Sequence, residues 1–86
     1  MRFTVVWLPG AENALAELWA PQHLRQPVAA AANAIDILLR DNPEEQATPV
    51  DTLFFLRRHP LVVLFDINKD DRMVRVIEVH LVDSGS

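Results

Sequence analysis

The 86-residue chain contains no cysteine and only two glycines. Without cysteine there is no disulfide framework and no thiolate metal site, and so few glycines provide no glycine-rich loop around a phosphate. The longest apolar stretch, Val28 to Leu39, is interrupted by Asn33 and Asp36 and is too short to span a bilayer. The apolar run after Arg2 stops at Pro9, so we expect no signal peptide. These absences predict a soluble, cytoplasmic protein.

The chain is also poor in positive charge, with 8 basic and 12 acidic residues and a net charge of −4. Neither half forms a basic field, which argues against tight electrostatic capture of nucleic acid. Half of the residues are hydrophobic, which favours a packed domain over a disordered segment. We therefore predict one domain over residues 1–86, with 83–86 as a flexible tail.

The segment from Leu53 to Val82 is the most informative part of the sequence. Three short runs rich in Val, Leu, Ile and Phe are separated by the sequences RRHP and NKDDR. Both separators combine charged residues with a turn former, so the segment predicts a three-stranded antiparallel meander. A run this rich in β-branched and aromatic residues is typical of strands in a small core.

One more strand and two helices are predicted upstream of the meander. Apolar positions recur at helical spacing from Ala11 and again after Pro27, and prolines bound these segments. The predicted elements are a strand at Phe3 to Leu8, a helix from Ala11 to Pro21, a helix from about Pro27 to Asn42 and a loop at residues 42–51. The order β-α-α-β-β-β predicts an α+β fold with two antiparallel helices packed on one face of a small, mostly antiparallel sheet.

The alternation of side chains then predicts which face stays open. In the last strand, Ile77, Val79 and Leu81 are expected on one face, and Val76, Glu78 and His80 on the other. Two helices cover one face of a sheet, so the face carrying Glu78 and His80 is expected to be open or covered by a partner.

The ordered motifs resemble the RelE/ParE toxin superfamily of bacterial type II toxin–antitoxin systems, which includes plasmid stabilisation proteins. The run V-V-W-x-P-x-A-x-x-x-L-x-x-L-W from Val5 to Trp19 is similar to the family's first strand and helix. The segment ending in L-L-R-D-N-P looks like its second helix, and LRRHPLVVLFDIN with MVRVIEVHLV looks like its hairpin and final strand. The resemblance implies a toxin-like protein neutralised by a cognate antitoxin, through helix-in-groove packing or strand addition at a sheet edge.

Departures from the family pattern weaken the implied RNA cleavage. Leu61 and Val62 stand where the family has an aromatic residue and an arginine after the hairpin proline, and Phe65 lacks a hydroxyl. The lysines of ribosome-dependent members align with apolar positions near Leu53 and Phe55. Cleavage needs cations at the scissile phosphate and a base for the 2′-hydroxyl proton, so we do not expect a competent mRNA endoribonuclease. The resemblance implies a protein target such as a gyrase in preference to the ribosome or mRNA. The alternative functions are an inert interaction module of the same fold or a weak RNase.

Two groups of polar residues are candidate sites. Arg57, Arg58 and His59 at the first hairpin could bind a phosphate, a carboxylate or a partner, although such charges more often form a solvated turn that protects a sheet edge. Arg58, Glu78 and His80 could converge at one end of the sheet for acid–base catalysis, but a cross-strand ion pair or a partner-facing patch is the simpler interpretation.

No cofactor or metal site is predicted, because His23, His59 and His80 fall on different elements without paired ligand spacing. Trp7 and Trp19 each lie in an apolar run and are predicted to be core residues. Apolar residues on both faces of the sheet suggest association, with a homodimer as one form.

Overall fold

A computed structural model describes residues 2–82 of the chain. The predicted tail at 83–86 lies outside these residues. Two long helices, one short helix and five strands follow one another along the chain: β1 (Thr4–Trp7), α1 (Pro9–Trp19), α2 (Gln22–Asp41), α3 (Pro43–Gln46), β2 (Thr48–Val50), β3 (Leu53–Arg58), β4 (Leu61–Asn68) and β5 (Met73–Leu81). No helix in this part of the chain is both long and apolar enough to cross a membrane.

The strands form one mixed sheet in the order β1-β5-β4-β3-β2. Strands β3, β4 and β5 pair with one another in antiparallel fashion, as the meander predicted, and β1 lies parallel to β5 at one edge. The predicted α+β fold is confirmed. Residues 42–51 differ from the predicted loop, since they contain α3 and the short edge strand β2. A three-residue strand containing Pro49 has no periodicity that a sequence pattern could detect.

The core lies between the two long helices and one face of the sheet. Phe65, Val63 and Leu61 of β4 are fully buried, together with Ile35 and Leu39 of α2. Each such side chain stabilises the fold by about 1.5–3 kcal/mol relative to an exposed position. Further core residues come from every layer of this arrangement: Ala11, Val28, Ala31, Leu56, Val74, Val76 and Val79. Both helices therefore cover the same face, as expected.

The second helix begins earlier than predicted, at Gln22, and Pro27 lies inside it. A proline lacks the N–H that would bond the carbonyl four residues before it, which here belongs to His23. That residue is exposed, so water can satisfy its carbonyl and the helix tolerates the proline. The N–H of Leu24 donates to the carbonyl of Pro21 and closes the first turn.

Candidate functional site

The face of the sheet that the helices leave uncovered is the candidate functional surface. The strand registers place Leu53 and Phe55 of β3 on this face, beside Val62 and Leu64 of β4. All four are half-buried, and Val50 on β2 is 46% exposed. We call this set the apolar stripe. No element among residues 2–82 packs over it, so its side chains are available to another molecule.

Polar groups border one end of the apolar stripe. Arg57, Val62 and His80 form one cross-strand row on β3, β4 and β5, and Phe55, Leu64 and Glu78 form the next. The imidazole Nε2 of His80 lies 2.8 Å from Oε1 of Glu78. Both side chains are exposed, and an exposed pair of this kind adds little to stability. In this arrangement the carboxylate of Glu78 contacts the imidazole ring of His80 through that one nitrogen.

Arg57, and not Arg58, lies on the same face as Glu78 and His80. Arg57 pairs with Val62, whereas Arg58 pairs with Leu61, which is fully buried on the helix-covered face. The expected convergence of Arg58 with Glu78 and His80 is therefore not found. Side chains alternate along β3, so Arg58 lies on the face opposite to that of its neighbour Arg57. His59 lies in the turn after it. The length of that turn decides which arginine points outward, and the sequence alone did not fix it.

A β-bulge in β5 corrects a second expectation about the faces. Leu64 pairs with Glu78 and Phe65 pairs with Val76, so Ile77 is an extra residue without a partner on β4. The bulge shifts the alternation by one residue. Val76 is therefore fully buried in the core. The sequence had predicted Val76 on the open face with Glu78 and His80, and this prediction is wrong.

A second ion pair lies on the open face, and sequence analysis missed it. Nε of Arg75 donates to Oδ1 of Asp66 at 3.0 Å, and a terminal guanidinium nitrogen donates to Oδ2. The hydrogen bond and the negative charge of Asp66 raise the pKa of Arg75 above its usual value. Asp66 and Arg75 lie directly opposite each other on β4 and β5, and their opposite charges on the two sides of the NKDDR turn were the available signal. The bidentate pair joins β4 to β5 and offsets the charge of Arg75, so this guanidinium offers less to an anionic ligand than an unpaired one would.

The two tryptophans differ in environment. Trp7 packs against the core, as predicted. The prediction for Trp19 is wrong, since this residue is 43% exposed at the end of α1. The guanidinium carbon of Arg25 lies 4.2 Å from the centre of its ring, a cation–π contact that sequence periodicity does not reveal.

The open face can support binding and limited acid–base chemistry. Adjacent strands are about 4.8 Å apart, so the backbones of Arg57 and His80 lie roughly 10 Å apart with Val62 between them. A guanidinium and an imidazole that extend from these positions could flank one anionic group. Within the described residues no three His, Asp or Glu side chains are grouped to hold a metal ion.

No protein-family model matches the sequence, and no curated protein matches it either. Similarity is found among solved structures. A chain of the toxin–antitoxin complex RelBE2 from Mycobacterium tuberculosis superposes with a TM-score of 0.81 at 21% identity, over 94% of this chain and 92% of that one.

Two further structures extend the similarity. A chain of the chromosomal ParDE toxin–antitoxin system from P. aeruginosa gives a TM-score of 0.73 at 14% identity, over 95% of this chain and 98% of that one. A chain of the archaeal RelE–RelB complex from Pyrococcus horikoshii OT3 gives 0.66 at 17% identity, over 98% and 99%. The protein therefore has a RelE/ParE-like fold, which is the fold that the resemblance in its sequence predicted.

Proposed function

We propose that this protein is the toxin-like component of a type II toxin–antitoxin module in the cytoplasm and that a cognate antitoxin neutralises it. The observation that carries the proposal is the shared fold, which extends over 94–98% of this chain and relates it to members of three toxin–antitoxin complexes. The uncovered apolar stripe supports it, because a domain this small gains stability when a partner buries such a surface.

The charge distribution favours a protein target over RNA. The net charge is −4, and of the two arginines on the open face, Arg75 is paired with Asp66. Arg57 and the imidazole of His80 lie near the apolar stripe. Together they offer little positive charge to a polyanion such as RNA. A protein such as a gyrase fits this surface better than the ribosome or mRNA does.

Inducible expression in bacteria tests the proposal. We expect growth arrest while total mRNA stays intact, and relief of the arrest when the product of an adjacent short reading frame is co-expressed. Arg57→Ala should weaken the arrest, since Arg57 borders the open face. Arg58→Ala is the matched control, because the neighbouring arginine lies on the opposite face. Absence of any growth defect would leave an inert interaction module, with the homodimer as its simplest form.

A weak RNase is the second candidate, and the Glu78–His80 contact favours it. An imidazole held at 2.8 Å by a carboxylate could take the 2′-hydroxyl proton of RNA, with Arg57 near the phosphate. In this case induction should deplete mRNA, and His80→Ala and Glu78→Gln should each abolish the loss. Depletion that persists in both variants, or that is lost in Arg58→Ala but not in Arg57→Ala, would remove this mechanism.

A further inference from the structure

The open face of the sheet is complementary to a second copy of itself. Its centre is apolar, with Phe55, Val62 and Leu64 half-buried on β3 and β4. Arg57 on β3 and Glu78 on β5 flank this centre on opposite sides with opposite charges. Strands lie about 4.8 Å apart and successive residues on one face about 7 Å apart, so the backbones of Arg57 and Glu78 are roughly 12 Å apart. The midpoint between them falls on β4, between Val62 and Leu64.

The two flanking charges lack a permanent counter-ion. Arg57 is exposed and forms no ion pair with any residue from 2 to 82, whereas Arg75 on the same face is paired with Asp66. Glu78 contacts the imidazole of His80, which is charged only when it is protonated. An unpaired charge is costly to bury, so a molecule that covers this face has to bring an anion to Arg57 and a cation to Glu78. A second copy of the chain brings both.

We propose that two copies of this chain associate through their open faces about a two-fold axis that passes between Val62 and Leu64. Arg57 of each copy then meets Glu78 of the other, as the self-complementary contact of a symmetric dimer requires. The axis lies in the plane between the two sheets, perpendicular to the line that joins Arg57 to Glu78. With the strand spacings above, the strands of the two sheets cross at roughly 70°, which is near the orthogonal class of sheet packing.

The same axis brings the remaining side chains of the face into suitable contacts. Val62 and Leu64 of both copies meet at the centre, where their burial drives the association. Phe55 of one copy lies opposite His80 of the other, so an aromatic ring covers the imidazole.

Other orientations about the same point leave the arginine without a carboxylate. An axis parallel to the strands places Arg57 opposite His80 of the other copy, and an axis perpendicular to the strands places it over the ring of Phe55. In both cases a guanidinium enters the interface without an anion, which opposes association. The ion pairs therefore set the orientation, while the apolar centre supplies the affinity.

This interface is small, and its size sets the expected affinity. A patch of three strands and two cross-strand rows is smaller than the surface that a permanent dimer buries, so we expect a dissociation constant in the micromolar range. Arg57, Glu78 and His80 lie inside the interface, and only the monomer presents them to a target. The protein therefore masks its target-binding surface at high concentration, and in this respect the inference rests on the proposed function.

Analytical ultracentrifugation of the purified full chain over a dilution series tests the dimer. We expect the wild type to dimerise reversibly and Arg57→Glu and Glu78→Arg each to associate at least tenfold more weakly, because each reversal opposes like charges at both symmetric contacts. An equimolar mixture of the two variants should dimerise as the wild type does, since each variant supplies the charge that the other lacks. Recovery in the mixture also shows that both variants fold.

Arg58→Glu is the matched control for the charge reversals. It changes the net charge by the same amount as Arg57→Glu, but Arg58 lies on the opposite face of the sheet, so the dissociation constant should stay unchanged. A wild type that remains monomeric, a mixture that does not associate, or an equal effect of Arg58→Glu would overturn the proposal.

Chemical modification of histidine tests whether the dimer covers the candidate site. His80 and His23 are both exposed in the single chain, and only His80 lies on the open face. With diethyl pyrocarbonate at a fixed concentration, mass spectrometry should show that modification of His80 falls as the dimer fraction rises, while modification of His23 stays constant. Modification of His80 that is independent of the dimer fraction would show that the two copies meet elsewhere.

The inference and the proposed function fail separately. Sedimentation and modification do not depend on toxicity, so a chain that dimerises in this way without arresting growth contradicts the proposed function and retains the dimer. A chain that arrests growth and stays monomeric throughout the dilution series contradicts the dimer and retains the proposed function.

Discussion

Phe65 is the largest fully buried side chain in the described part of the protein, and it shows how much one residue contributes. Its ring stacks on that of Phe54 with a centroid separation of 5.9 Å. We expect Phe65→Ala to lower the free energy of unfolding by about 3–5 kcal/mol, through lost burial and a residual cavity. A small domain has only about 5–15 kcal/mol in total, so urea denaturation followed by circular dichroism should show a large shift of the midpoint.

Leu64→Ala is the matched control for that substitution. Leu64 is the adjacent residue on β4 and is half-buried on the opposite face, so the expected loss is about 1 kcal/mol. Equal losses in the two variants would mean that both faces of β4 are covered, which contradicts the one-sided packing described above.

The Asp66–Arg75 pair gives a prediction about pH. The raised pKa of Arg75 means that its contribution to stability is present below the unfolded-state pKa and is lost only as pH rises through the folded-state value. Both values lie far above neutrality for an arginine. Arg75→Gln should therefore lower the denaturation midpoint slightly and by the same amount at neutral pH and at about pH 9. A difference that disappears at the higher pH would show that another group titrates with the pair.

Among the elements, the bulge in β5 has the clearest consequence for the sequence. Val76 faces the core, Glu78 faces outward and Val79 faces the core again, with Ile77 as the extra residue. Deleting Ile77 joins Val76 to Glu78 and produces regular alternation without reversing any face. We expect this deletion variant to fold, with a loss of about 1–2 kcal/mol as for a typical substitution, as measured by urea denaturation.

Deletion of Val62 is the control for the deletion in β5. Strand β4 has no bulge between Leu61 and Leu64, so a one-residue deletion there moves Leu61 or Val63 out of the core and should prevent folding. If the Ile77 deletion also unfolds the protein, the bulge is required for the curvature of the sheet and is more than an insertion that the strand tolerates.

Sequence patterns predicted the long, strongly periodic elements and missed the irregular ones. The strand between the separators RRHP and NKDDR was predicted where β4 is found, because its alternation is uninterrupted. The bulge at Ile77 was not predicted, since Val-Ile-Glu-Val is compatible with either phase of a strand. At the site, the contact of Glu78 with His80 follows from their spacing of two. The choice between Arg57 and Arg58 depends on the turn, which tertiary packing sets.

At the scale of the whole molecule, the protein is a single helical layer on a single sheet. Its Cα atoms span 39 × 25 × 20 Å, and the shortest dimension leaves room for two layers about 10 Å apart. The apolar stripe of Leu53, Phe55, Val62, Leu64 and Val50 is consequently the outer surface of the free protein. Surfaces of this kind promote association when no partner covers them.

We therefore expect the isolated protein to associate as its concentration rises and Leu64→Lys to reduce this association, because a lysine in the centre of the apolar stripe must be desolvated when two such faces meet. Light scattering across a dilution series measures the effect. Ile37→Lys is the control, because Ile37 is an exposed apolar residue of α2, 53% accessible, that lies outside the apolar stripe. This substitution should leave association unchanged. If the wild-type protein stays monomeric throughout, or if the two lysine variants behave alike, the sheet face is not the surface through which the molecule associates.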